Sequence, residues 1–231
     1  MGRRSMEGHQ PLDAITLTIR PANDVSADDL RAVFGTRDSG QCNCQRYKTR
    51  GWFWEQATDD QRRARLLEQA NCGDPAATST TGLVAFLDDP EPTPVGWVAV
   101  EPRTEYPRLV GLPTVWKGRP DEDKSDDSVW AVTCFVVRKG YRRRGVTYAL
   151  AAAAVGYAKA NGARALEGYA MLTQPGREIT WGELHVGARQ VFAEAGLTDV
   201  SRPSVRRAVM RIDFDPTTAP TSTMPAPPSE R

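Results

Sequence analysis

Residues Val137 to Ala154 read VRKGYRRRGVTYALAAAA, and this stretch concentrates the residue types that hold a polyanion. Arg142, Arg143 and Arg144 supply guanidinium groups, whose planar forks pair with phosphate oxygens. Gly145 lets a backbone come close to a ligand. The alanine-rich residues after it have the composition of a helix. The first amides of a helix have no partner within it, and its dipole adds partial positive charge at that end. Such a corner suits a pyrophosphate. A basic run alone is usually a solvated face. This one follows a strand of buried character and precedes a helix able to lie close on a sheet. Two other phosphate loops are excluded, because neither Gly-Lys-Ser/Thr after an earlier glycine nor G-x-G-x-x-G occurs in the chain.

The elements that must position this turn can be read on either side. Val129 to Val137 (VWAVTCFVV) is almost wholly apolar, as in a strand covered on both faces. Thr147 to Ala160 is a helix stopped by Asn161-Gly162, and Arg164 to Ala170 is the next strand. Upstream, Ile15 to Ala22 alternates like a first strand. Ser26 with Asp29 caps a helix ending at Phe34, and Thr58 with Gln61 caps another that stops near Gly73. Leu83–Leu87 and Val95–Val100 flank a proline-rich hairpin turn. Residues 104–127 read as a loop. Downstream, Leu184 to Ala195 is a helix closed by Gly196, and Val205 to Ile212 a last strand. The pattern predicts an α/β (α+β) fold: a mixed, mostly antiparallel sheet of six to seven strands with helices on both faces. The domain should span 13–215, between a disordered 1–12 and a Pro/Thr-rich tail over 216–231.

Composition narrows the function. Lys and Arg number 30 against 29 Asp and Glu, a formal net charge of +1. A general nucleic-acid binder is disfavoured, so an anion site must be local. No apolar run reaches the roughly 18 residues of a membrane helix. The basic start lacks the apolar stretch of a secretory signal, which leaves a cytoplasmic location. Cys42, Cys44, Cys72 and Cys134 then read as thiols. Cys42, Cys44 and Cys72 offer three ligands for zinc, but with the wrong spacing and no nearby histidine, so packing is preferred and no metal is expected.

The turn Arg142-Arg143-Arg144-Gly145-Val146-Thr147 resembles the signature of the GNAT superfamily of acetyltransferases, Arg/Gln-x-x-Gly-x-Gly/Ala between the fourth strand and third helix. Phe135, Val137 and Tyr141 match the residues usual before it; Thr147 departs from it. The specific match spans about 135–155, while element order extends it to about 14–214. GWVAVEPR and CFVVRKGYRRRGV look like an actinobacterial-type subgroup of unassigned substrate. The resemblance implies acetyl-CoA as co-substrate, with amides from Arg143 to Thr147 on the pyrophosphate and the strand edge at Phe135 and Val137 on the pantetheine arm. That arm would lie where Val129–Val137 and Arg164–Ala170, running parallel, splay apart. Arg142, Arg143, Arg144, Gly145, Val146 and Thr147 are thus the implied binding residues.

Acetyl transfer to an amine needs a proton acceptor and a proton for the leaving thiolate. The resembled family often uses a tyrosine four residues before a Gly-Phe-like pair. Here the pair is Gly196-Leu197 and the position is Phe192, which has no proton to give. His185, two helical turns earlier on the expected helix, is one candidate. Tyr169 and Glu167, two apart on a strand and so on one face, are the others; Glu101 is a further option. Cys134 reads as packing. The implied function is N-acetyl transfer by direct attack in a ternary complex. A small-molecule amine is favoured over a protein amine, with a homodimer possible and neither nucleic acid nor membrane as partner. The aromatics Trp52–Trp54 and the acidic loop Asp121–Asp127 would suit a cationic amine. The alternative is a non-catalytic acyl-CoA sensor, for which Phe192 is the support.

Overall fold

The computed structural model describes residues 16–35, 39–51, 55–88, 90–173 and 180–215. The expected terminal segments and Trp52–Trp54 lie outside the described residues. Capping boxes start two helices, Ser26 with Asp29 for α1 (Ala27–Phe34) and Thr58 with Gln61 for α2 (Asp59–Gln69). Each satisfies two otherwise orphaned donors at a helix start. α1 and α2 cover one face of a sheet, where Leu30, Phe34 and Leu66 pack with Trp97 and Val136. The other face carries α3 (Val146–Ala160) and α4 (Arg189–Glu194). There Leu150, Ala154, Val191 and Phe192 pack with Val98, Phe135 and Met210.

The sheet has seven strands in the order β1-β2-β3-β4-β5-β7-β6. They are β1 (Leu17–Pro21), β2 (Gly82–Leu87), β3 (Thr93–Pro102), β4 (Val129–Val137), β5 (Ala165–Met171), β6 (Thr198–Ser204) and β7 (Arg207–Asp213). Neighbours are antiparallel except β4 and β5, which are parallel and joined through α3. This is the mixed, mostly antiparallel architecture that the sequence pattern implies.

Two irregularities position the site. Val100 pairs with Val132 and Ala99 with Cys134, so Thr133 is an extra residue in β4. A bulge of this kind bends its strand and increases the twist. The β4–β5 pairing ends at Val132↔Gly168, beside that bulge, and the strands part beyond it. The second irregularity is close approach by α3. A Cβ at Gly96 would lie 2.7 Å from Val146 Cγ1, so only glycine on β3 lets the start of α3 sit this near the sheet. The buried residues of α3 are Val146, Leu150, Ala151, Ala154 and Ala158, a stripe of mostly small side chains.

Two expectations are corrected. β6 escaped the pattern because TDVSRPS has little apolar character and a proline, which only an edge strand tolerates. The helix expected over Leu184–Ala195 is two pieces: a single turn, Trp181–Leu184, and α4. Gly187 between them has φ +92°, a left-handed conformation that breaks the run. No helix among the described residues is long and apolar enough to cross a membrane.

Candidate active site

Gly145 begins α3 in the left-handed region (φ +80°), and no side chain caps the helix. The N–H groups of Tyr148 and Ala149 bond back to the Gly145 carbonyl at 2.9 and 3.1 Å. The amides of Val146 and Thr147, ahead of them, have no acceptor within the helix. Arg143 is also left-handed, φ +62°. Non-glycine residues resist that conformation by about 1–2 kcal/mol, and successive amides in such a turn converge into an anion-binding concavity. Arg142 Nε donates to the Val137 carbonyl at 3.1 Å, fixing the turn to the end of β4. The Arg144 guanidinium lies 5.8 Å from the Tyr141 ring centroid.

A cleft of about 240 Å³ opens at this corner. Its walls include Phe135, Val137, Arg142, Arg143, Gly145, Val146 and Thr147, together with His185 and Val191. Seven of the eight binding positions expected from sequence therefore line one space; Arg144 is not among its wall residues. A cradle of amides without a capping side chain, flanked by guanidinium groups, fits a diphosphate. The strand edge fits less simply. The Phe135 N–H already donates to the His185 carbonyl at 2.6 Å, and the Met171 N–H to the Gly187 carbonyl at 2.9 Å. The segment His185–Ala188 thus bonds to both β4 and β5 where they part. The Arg138 N–H points to β3, donating to the Val95 carbonyl. By alternation the Val137 N–H points the other way, into the cleft.

A second cleft, about 260 Å³, lies on the opposite face of the sheet. It is walled by Tyr47, Leu109, Val115, Tyr169 and Val209, with Ser204 and Arg207 as polar members. The Tyr47 ring in its wall stacks on the His185 ring, centroids 6.4 Å apart. The two clefts therefore adjoin through these two side chains.

A model of the acetyltransferase (GNAT) family matches residues 46–174. The chain belongs to the GNAT acetyltransferase family. Its fold is shared with a solved acetyltransferase at 20% identity, with 86% of this chain and 100% of that one covered and a TM-score of 0.50. A GNAT acetyltransferase from Streptococcus pneumoniae matches at 16% identity and TM-score 0.48, over 87% of this chain and 100% of that one. The PaiA N-acetyltransferase from Thermoplasma acidophilum, solved in complex with coenzyme A, matches at 12% and 0.48, over 87% and 100%. No curated protein matches in sequence.

Within this GNAT domain the proton-transfer candidates fall in different places. His185 is not on a helix face shared with Phe192, since the helix is broken between them. Its Nδ1 lies 2.6 Å from the Gly182 carbonyl, which can only accept, so Nδ1 carries the proton. Nε2 is then a bare lone pair, buried and without a hydrogen-bond partner among the described residues. Burial, with Arg46 and Arg207 nearby, pulls the imidazole below its ordinary 6.5.

Glu167 and Tyr169 do share a face, as their spacing requires, but that face holds arginines. Glu167 is fully buried and accepts from Arg103 Nη1 (3.1 Å), Arg211 Nη1 (3.1 Å), Arg119 Nη1 (3.3 Å) and the Tyr169 hydroxyl (2.9 Å). A carboxylate so surrounded has no free oxygen direction for an incoming proton. Tyr169 donates its proton to Glu167, and burial followed by that charge pushes its hydroxyl well above the usual range. Both residues are thereby held away from proton transfer.

Glu101 ion-pairs with Lys48 at 2.5 Å and accepts from Thr81. It lines a third cleft with Tyr157 and Asn161, at the far end of α3. A helix of 15 residues is about 22 Å long, so Glu101 is remote from Gly145. Two acids of the loop are held by arginines: Glu122 pairs with Arg103 and Arg211, and Asp126 with Arg164. Hydrogen bonds from Ser128 and then Arg164 hold the Asp126 carboxyl down at about 2.

Cys42, Cys44 and Cys72 do not converge on one point. The Cys72 thiol donates to the Val25 carbonyl at 3.1 Å. Cys44 accepts from Trp97 Nε1 at 3.0 Å. Cys134 hydrogen-bonds with Cys42 and then Cys44, and these bonds, with burial, push its thiol well up. No group of three or more metal-type side chains among the described residues has metal-binding geometry.

Phe192 is buried and packs its ring 5.8 Å from that of Phe135. A Cβ at Gly168 would lie 2.5 Å from Phe192 Cε1. The ring thus presses directly onto the β5 backbone, and Gly168 is the residue that admits it. Gly168→Ala is expected to cost about 1–3 kcal/mol by overpacking. Adding Phe192→Leu should recover part of that loss; urea denaturation of the single and double variants checks both.

Proposed function

We propose that the chain is an acetyl-CoA-dependent N-acetyltransferase acting on the amine of a small molecule. The observation that carries this reading is the meeting of two clefts at one histidine. On one face lies an anion cradle at the start of α3, on the other a mostly apolar space, with His185 and Tyr47 between them. Bound acetyl-CoA supplies the acetyl group as a thioester. The Val146 and Thr147 amides, with Arg142 and Arg143, hold the diphosphate, and the Val137 N–H orients the extended arm along β4. The His185 Nδ1–H bond to Gly182 fixes the tautomer, leaving Nε2 to accept the proton that the amine sheds as its nitrogen bonds to the acetyl carbon. Burial keeps that imidazole neutral near pH 7. Phe192 has no proton to deliver, so the thiolate takes its proton from the imidazolium just formed or from water. A donor of this kind implies work in the cytoplasm.

His185→Gln is the test. Loss of a general base costs about 10²–10⁴-fold in rate. In the wild type the acid limb of kcat/KM should fall below 6.5, because the folded imidazole is harder to protonate than a free one. The same shift has a stability sign. Neutral His185 contributes fully above about 6.5, and its contribution is lost as pH falls from there through the lower folded value. An acid limb unchanged in His185→Gln would remove the residue from the relay. Phe192 alone favours a second reading, an acyl-CoA sensor without turnover. Thiol release with any amine in a screen excludes it.

A further inference from the structure

We infer that the amine acceptor bears a carboxylate on an apolar body, and that Arg207 receives it in the second cleft. The inference rests on the reading of the chain as an amine acetyltransferase. The walls of that cleft are mainly apolar, and its one charged member is Arg207. Arg207 follows directly on Arg206, yet the two are treated differently by the fold. Arg206 pairs with Glu183 at 2.7 Å, and Arg211, on the same strand as Arg207, pairs with Asp213, Glu122 and Glu167. Among the described residues no carboxylate lies within ion-pair distance of Arg207; Tyr47 and Glu183, the latter paired to Arg206, act on it only from farther off, while it is half-buried and burial works against its charge. A partly desolvated cation without an internal partner is costly unless something else supplies the anion.

The surroundings strengthen this. Arg46 and Arg108 lie near enough, with Arg207, to act on the Tyr47 hydroxyl, and neither has a carboxylate partner among the described residues. Three guanidinium groups thus lie around Tyr47, and no carboxylate lines the cleft. Of the acids over Asp121–Asp127, Glu122 and Asp126 are paired with arginines, and none of the loop lines this cleft. A polyamine would meet a net excess of positive charge here, since the one carboxylate that acts on Arg207 is already paired with Arg206. An amine with an acidic group would place its apolar part against Leu109, Val115 and Val209, its carboxylate on Arg207, and its nitrogen toward the His185 side.

Matched amines test the idea. Phenylalanine is compared with phenethylamine, and leucine with isopentylamine, by thiol release from acetyl-CoA and by calorimetric binding to the protein saturated with coenzyme A. A charge-assisted contact predicts that the acid of at least one pair is preferred by about tenfold to a hundredfold. Arg207→Glu should invert that preference, while coenzyme A affinity stays as in the wild type. Equal use of acid and amine, binding of neither acid, or a preference indifferent to Arg207→Glu overturns the inference. The two readings fail separately. Turnover without acid preference sinks only the carboxylate site, whereas Arg207-dependent binding of the acid without thiol release sinks only the transferase.

Discussion

Replacing Arg142 and Arg143 together by glutamate is expected to weaken coenzyme A binding by about a hundredfold or more. Each charge-assisted bond to a phosphate oxygen is worth about 1.5–3 kcal/mol. Losing two removes about 3–6 kcal/mol, and 1.4 kcal/mol is tenfold in affinity. The new carboxylates also repel the diphosphate. Arg142 has a second duty, since its Nε holds the Val137 carbonyl, so part of its effect comes through the turn. Arg143 is exposed, and its single exchange isolates the charge effect. Pantetheine, which lacks the diphosphate, should bind wild type and variants alike. Calorimetry with both ligands separates an anion site from general damage. Equal affinity of all three proteins for coenzyme A would remove the cradle at Gly145.

The parts of this site that were legible in the sequence are those fixed within about 20 residues of one another. The order buried strand, basic turn, glycine, alanine helix is local. Its physical meaning, unpartnered amides beside guanidinium groups, follows from helix geometry alone. Capping boxes at Ser26 and Thr58 were readable for the same reason. What could not be read depends on distant partners. Glu167 was a reasonable base by spacing, but its arginines come from positions 103, 119 and 211, brought together only by the sheet. The sole trace in the sequence is that arginines stand in the loop after β3 and on the last strand. His185 was placed on the wrong kind of element. Gly187 was the available signal, and a glycine inside an otherwise helical pattern is ambiguous until its φ is known. The bulge at Thr133 left no mark, since VWAVTCFVV reads the same with or without an extra residue.

Glu167→Ala is expected to be the most destabilising single exchange at this site. It would leave Arg103, Arg119 and Arg211, all buried, without their shared acceptor. Breaking one side of a buried charge cluster costs about 3–5 kcal/mol, because the remaining charges stay desolvated. For a domain of this size each kcal/mol moves the melting point by about 2–4 °C, so a fall of roughly 6–20 °C is expected. Glu122 offers partial rescue, since it also meets Arg103 and Arg211 at 3.0 Å. The loss should be smaller in Arg119→Ala, and the two exchanges should combine non-additively, as members of one network do. Calorimetric melting of the single and double variants measures this. The experiment also decides between a structural and a chemical Glu167. Arg103 and Arg119 stack on Trp116 at 5.1 and 5.5 Å, so the cluster anchors the segment that walls the second cleft, where the acceptor is proposed to lie. The milder Glu167→Gln, measured well below its melting point, should raise KM for the amine more than it lowers kcat. Its acid limb should remain that of His185. If the limb instead vanished in Glu167→Gln and survived in His185→Gln, the proton would pass through the arginine-bound carboxylate, and the roles assigned to these two residues would exchange.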